Sequence, residues 1–193
     1  MEVFKSDIDS LLSGDKQYVI PVFQRFYEWP KERLENLWED ILALIEDNPK
    51  AGSSHFIGPM VHMLDVKKTN RTSSVRRFIV VNGQQRLMSI FVLICAVRDH
   101  AIKSGYNPLA KSIEQKNYIS LIDNYSKTFY KIQPRLRDRD TLISIFENKD
   151  LNDRKSLLIE AYQYFRNELE KLDPYQPELF DEKLPQETIN QLS

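Results

Sequence analysis

A chain of 193 residues, 41% hydrophobic and 28% charged, is long enough for one domain with a real core and has the make-up of an ordinary globular protein. No stretch approaches the roughly 20 apolar residues that cross a bilayer, and the opening Met1–Asp7 lacks the basic-then-apolar order of a signal peptide, so a cytoplasmic protein with no membrane partner is expected. A formal net charge of −1 argues against a DNA binder driven by bulk charge, though not against a local basic patch, and the lone cysteine excludes an intramolecular disulfide.

Tyr18-Val19-Ile20 reads as a short strand closed by Pro21. Pro30 then opens a helix, because its missing N–H is one that a first turn leaves unpaired anyway. Leu34, Leu37, Trp38, Ile41, Leu42 and Ile45 recur at helical spacing and predict one buried face. Asn48-Pro49 and Ala51-Gly52 end that helix. A second strand is expected within Phe56–Leu64, followed by a hairpin-like polar loop over Thr69–Ser74. Arg77–Val81 is a third strand, with the unbroken apolar run of a central position. Asn82-Gly83 breaks it, and a helix runs from Gln84 to about Lys103 with apolar residues on most of its surface. Cys95 lies in this run and is expected to be a buried thiol, while His55, His62 and His100 lack zinc-ligand spacing. Further on, the pattern predicts a helix over Leu109–Tyr125 and a short strand over Phe129–Ile132. Helices are expected over Asp138–Glu147 and Asp153–Leu172, the second with Leu157, Leu158, Ala161, Tyr162, Phe165 and Leu169 on one face. Asp173–Ser193, with three prolines among acids and glutamines, reads as a tail or linker. The expected fold class is therefore α+β: a small sheet with packed helices over 1–106, a mainly helical extension packed on it over 107–172, and a tail over 173–193.

Two segments carry chemistry. Val80–Leu87 places a strand, an Asn-Gly break and a helix start in direct succession. A helix start exposes unpaired N–H groups and partial positive charge, which suits a phosphate. Gly83 lets the backbone come close to an anion, Asn82 can cap the helix, Gln84 and Gln85 can hydrogen-bond a nucleotide or a water, and Arg86 offers a planar fork for phosphate oxygens. On these grounds alone, a capped helix with a surface arginine accounts for the same residues slightly better. In Ile20–Trp29, aromatics alternate with Gln24 and Arg25. Phe23 and Trp29 read as packing residues, whereas Gln24 and Arg25 are costly to bury unpaired and point to a site. Two basic clusters are candidate DNA patches: Lys67, Lys68, Arg71, Arg76 and Arg77, and Arg135, Arg137 and Arg139, although each taken alone reads more readily as a solvated loop.

Taken in order, Ile-Pro-x-Phe-Gln-Arg-x-Tyr-x-Trp (20–29), Leu-Trp-x-Asp-Ile (37–41), His-Phe-Ile-Gly (55–58) and Asn-Gly-Gln-Gln-Arg-Leu (82–87) resemble the N-terminal, ParB/sulfiredoxin-like domain of modification-dependent restriction proteins of the GmrSD/SspE type. The resemblance implies a nucleoside-triphosphate pocket, with or without Mg²⁺, lined by Gln24, Arg25, Asn82, Gly83, Gln84, Gln85 and Arg86. Of these, Gln84, Gln85 and Arg86 are the candidate catalytic residues. It implies nucleotide hydrolysis coupled to the sensing of modified DNA, with cleavage by a separate nuclease domain or subunit, and it leaves an oligomer open. The family pattern has Asp where this chain has Asn82. A neutral amide holds Mg²⁺ or orients water less well than a carboxylate, so a non-hydrolysing, ParB-like sensor of nucleotide and DNA is the alternative. A nuclease in its own right ranks last, since the sequence offers no nuclease constellation.

Overall fold

The computed structural model describes residues 7–46, 56–66, 75–116, 118–122, 126, 128–151 and 155–172. In chain order the elements are α1 (Ile8–Leu12), β1 (Lys16–Val19), α2 (Lys31–Glu46), β2 (Val61–Leu64), β3 (Arg76–Asn82), α3 (Gln84–Lys103), α4 (Asn107–Gln115), β4 (Ser120–Ile122), β5 (Thr128–Tyr130), β6 (Ile132–Gln133), α5 (Leu136–Phe146) and α6 (Leu157–Lys171). The fold is α+β. The main sheet has the order β2-β3-β1-β6. β1 runs parallel to both neighbours, with Tyr18 opposite Phe78 on one side and Ile132 on the other, and β2 closes the sheet antiparallel to β3. A separate hairpin pairs β4 with β5.

The parallel arrangement decides where function can sit. Because β3, β1 and β6 are adjacent and point the same way, the loops leaving their carboxyl ends emerge side by side, where open α/β sheets place their ligands. Behind them lies α3, whose residues Phe91, Val92, Cys95 and Ala96 are fully enclosed by packing against α4, α5 and α6. Arg98 and Asp99 are also buried in this helix. Arg98 donates to Asp99 Oδ1 and to the carbonyls of Phe146 and Ile145, and Tyr162 donates to Asp99 Oδ2 at 2.7 Å. The charges are thereby paired and hydrogen-bonded, which is the condition for burying them. α1 is tied on by Tyr18, whose hydroxyl donates to the Leu11 carbonyl at 2.7 Å.

Several expectations are corrected. The second strand begins at Val61 rather than Phe56. Pro59 has no N–H for a ladder and Gly58 has φ +90°, so the chain cannot pair before Met60. The helix expected over Leu109–Tyr125 ends at Gln115, and Ser120–Ile122 pairs with Thr128–Tyr130 instead. The single strand expected over Phe129–Ile132 is two, split at Lys131, with Tyr130 serving the hairpin and Ile132 the main sheet. α1 was not anticipated, because five residues are too few to show periodicity. The tail 173–193, the 67–74 run and His55 lie outside the described residues. No helix among the described residues is long and apolar enough to cross a membrane.

Candidate functional site

β3 and β1 each hand the chain to one wall of a cleft, and β6 feeds a loop that packs against the β1 wall. β3 ends at Asn82 and α3 begins at Gln84, with Gly83 between them at φ 87°. Asn82 does not cap α3 as expected. Its Oδ1 turns back to accept the N–H of Gly83 at 2.8 Å, and no side chain caps the first turn. Gly83 is demanded twice, by its left-handed φ and because a Cβ there would lie 2.6 Å from Met60 Cγ.

β1 leads into a strap over 21–28 that the start of α3 holds in place. Gln24 Nε2 donates to the Val81 carbonyl at 2.7 Å, Gln84 Nε2 to that of Arg25 at 2.9 Å, and Gln85 Nε2 to that of Phe26 at 2.7 Å. Gln85 Oε1 accepts the Glu28 N–H at 2.9 Å, so both ends of this amide are engaged. Gln84 is buried, and its Oε1 has no protein partner. Beneath the strap, the Tyr27 and Ser89 hydroxyls meet at 2.6 Å. Arg25 points outward, 73% exposed in its side chain, and meets Glu28 at 3.6 Å. Arg86 donates to the Ile57 carbonyl at 2.9 Å. It lies so close to the next residue that a Cβ on Gly58 would fall 1.8 Å from its Nη1.

β6 feeds the third loop. Arg135 donates to the Gln24 carbonyl, and its guanidinium lies 4.1 Å from the centre of the Phe26 ring. Asp138 Oδ2 accepts the Tyr27 N–H at 3.1 Å. Burial raises the Asp138 carboxyl above its ordinary value, against the opposing pull of that hydrogen bond and of Arg137 and Arg135.

The cleft between these walls has a volume of about 520 Å³, within the range of small-ligand sites. Gln24, Arg25, Asn82, Gly83, Gln84, Gln85 and Arg86 all line it, although they come from segments about 60 residues apart. Three polar lining residues were missed: Arg33, Asn36 and Asp40 of α2. Their spacing of three and four puts them on one helical face, beside the apolar stripe that periodicity found. Trp29, Phe56 and Ile57 add apolar wall. Three arginines, Arg25, Arg33 and Arg86, and one carboxylate, Asp40, line the cleft with the uncapped start of α3, and Arg25 is also paired with Glu28. Such a surface suits a polyanion.

Other titratable groups lie elsewhere. Cys95 is fully enclosed, and burial pushes its thiol up to about 12. His62 packs edge-on against Tyr18 and Phe78, and burial lowers its pKa. No group of three or more His, Cys, Asp or Glu placed to hold a metal occurs among the described residues.

The family model of the GmrSD restriction endonuclease, N-terminal domain, matches residues 8–192. The chain belongs to this family. The GmrSD N-terminal match opens at the first residue of α1, so the helix that periodicity overlooked lies inside the family domain, and it runs on without a break past α6. No curated protein matches the chain.

Proposed function

We propose that this domain is the nucleotide-binding regulatory module of a modification-dependent DNA restriction system and that its ligand is a nucleoside triphosphate held in the cleft. The observation that carries the reading is that Arg25, Arg33 and Arg86 line one cleft together with the uncapped start of α3. The phosphates face that helix start and the guanidinium groups, and Trp29 offers an apolar surface for the base. Kinship with ParB-like nucleotide-binding domains, inferred from the ordered motifs, agrees with this placement. The family description supports DNA as substrate, and a nuclease in a separate domain or subunit is part of this reading.

In this reading Gln84 and Gln85 are positioning residues, because their amides hold the strap that presents Gln24 and Arg25. A catalytic role for either would require those bonds to open when nucleotide enters. Mg²⁺ is commonly held by about one or two protein carboxylates plus phosphates and water. The cleft supplies one such carboxylate, Asp40, while Asn82 Oδ1 is engaged by the Gly83 N–H. Asp40 would hold the ion, which would screen the charge of the phosphates.

The engagement of Asn82, Gln84 and Gln85 favours the second reading, a sensor that binds nucleotide without turnover. Phosphate release from ATP, GTP, CTP and UTP, with and without modified DNA, separates the two. Steady release stimulated by DNA establishes the hydrolase, and binding without release establishes the sensor. Asn82→Asp sharpens the comparison. Its added charge weakens nucleotide binding in EDTA, and in Mg²⁺ it raises release if the ion sits there.

A further inference from the structure

We propose that the surface made by Phe26, Arg135 and Arg137 binds the phosphate backbone of duplex DNA, beside the nucleotide cleft and sharing the 21–28 strap with it. The inference rests on DNA being the system's substrate, as proposed above, and adds where this chain touches it. The sequence marks Arg135 and Arg137 as basic but gives them no neighbours. The sheet order supplies the neighbours: β6 lies next to β1, so the loop carrying both arginines emerges against the strap.

Arg135 and Arg137 stack on the same ring, with guanidinium carbons 4.1 Å and 4.7 Å from the Phe26 centroid. The two cations are thus within about 9 Å of each other around one ring. Neither has a carboxylate within ion-pair distance among the described residues, although the buried Asp138 and, beyond it, Glu28 lie near enough to temper their charge. Stacking fixes the plane of a guanidinium while leaving its N–H edge open, the arrangement that suits phosphate oxygens. Arg135 is anchored at the Gln24 carbonyl, and Arg137 is exposed and available. Between them Leu136 is 76% exposed, and on the strap Phe23, expected to pack, is instead 74% exposed. An apolar surface among paired cations fits a strand of sugars and phosphates better than a bare inorganic anion. The strap's carbonyls at Arg25 and Phe26 are held by Gln84 and Gln85, and that at Gln24 by Arg135. A shift of the strap on nucleotide binding therefore moves Phe26 and the two arginines that rest on it.

The test is fluorescence anisotropy of a short labelled duplex of unmodified DNA, titrated with the full chain over a series of KCl concentrations. Arg137→Gln is the primary variant and Arg137→Glu the stronger one. Nucleotide affinity is measured on the same samples by calorimetry. Each lost phosphate contact lowers the slope of log affinity against log salt by about 0.9. Arg137→Gln is expected to lower that slope by about one contact and weaken DNA binding several-fold at low salt. Arg137→Glu is expected to weaken it further, with nucleotide affinity unchanged in both, since Arg137 does not line the cleft. A slope and affinity equal to wild type in both variants overturn the proposal, as does a wild-type chain that binds no duplex. Should the chain bind DNA through Arg137 but no nucleotide, the nucleotide reading fails while this surface stands.

Discussion

Gly58 and Arg86 illustrate how one residue's reason can lie in another. Gly58 is not itself a lining residue, yet a Cβ on it would occupy the place of Arg86 Nη1. Gly58→Ala is therefore expected to cost about 1–2 kcal/mol through its positive φ and to expel the Arg86 guanidinium. The loss of a charge-assisted contact corresponds to about a ten-fold drop in nucleotide affinity. Calorimetry on Gly58→Ala, Arg86→Ala and the double variant checks this: the double variant should bind no worse than Arg86→Ala alone. Gly83 was legible from sequence as the break between a strand and a helix, though its left-handed φ was not. Gly58 was not, because its constraint comes from a side chain far along the chain. Lys131 makes a second prediction at this scale. It is fully buried and donates to the Gly14 carbonyl, and burial pulls its ammonium from 10.5 down to about 8, against the attraction of Asp15. Above pH 8 the folded chain loses this proton while the unfolded chain keeps it, so the unfolded state binds more protons and stability rises with pH. Denaturation midpoints followed from pH 7 towards the tyrosine range should show that rise, and Lys131→Met should flatten it.

The strap and the start of α3 behave as one unit because side-chain amides, rather than backbone ladders, join them. Gln85→Ala leaves the Glu28 N–H and the Phe26 carbonyl without that partner. Amide hydrogen exchange at Glu28 should then rise well above wild type, while exchange deep in α3 stays slow. A Gln85 that acted only on nucleotide would leave Glu28 exchange in the ligand-free chain unchanged. α3 itself was legible from Gln84 to Lys103, since twenty residues of pattern and a clear break define it. β4 was not, because its strand character is conferred by Thr128–Tyr130 across the hairpin. Arg33, Asn36 and Asp40 were overlooked for a different reason: periodicity finds the buried face of α2, and the cleft uses the polar face next to it.

Across the whole molecule, function follows from strand order. Three adjacent parallel strands deliver the helix start, the strap and the arginine loop to one edge, and α2 closes the far wall. The resemblance already placed the strap and the helix start in one pocket, and the pairing of β1 with both β3 and β6 supplies the geometry and adds the arginine loop. The central claim is that the cleft binds a nucleoside triphosphate by its phosphates. Arg33 tests it most directly, because this exposed arginine lines the cleft without supporting the strap or the Ile57 loop. The measurement is calorimetric titration of ATP, GTP, CTP and UTP into wild type and Arg33→Ala, with thermal melting of both. The account predicts saturable binding of at least one nucleotide, weakened about ten-fold in the variant, at an unchanged melting temperature. Absence of binding by any of the four, or equal affinity in wild type and variant, would contradict it.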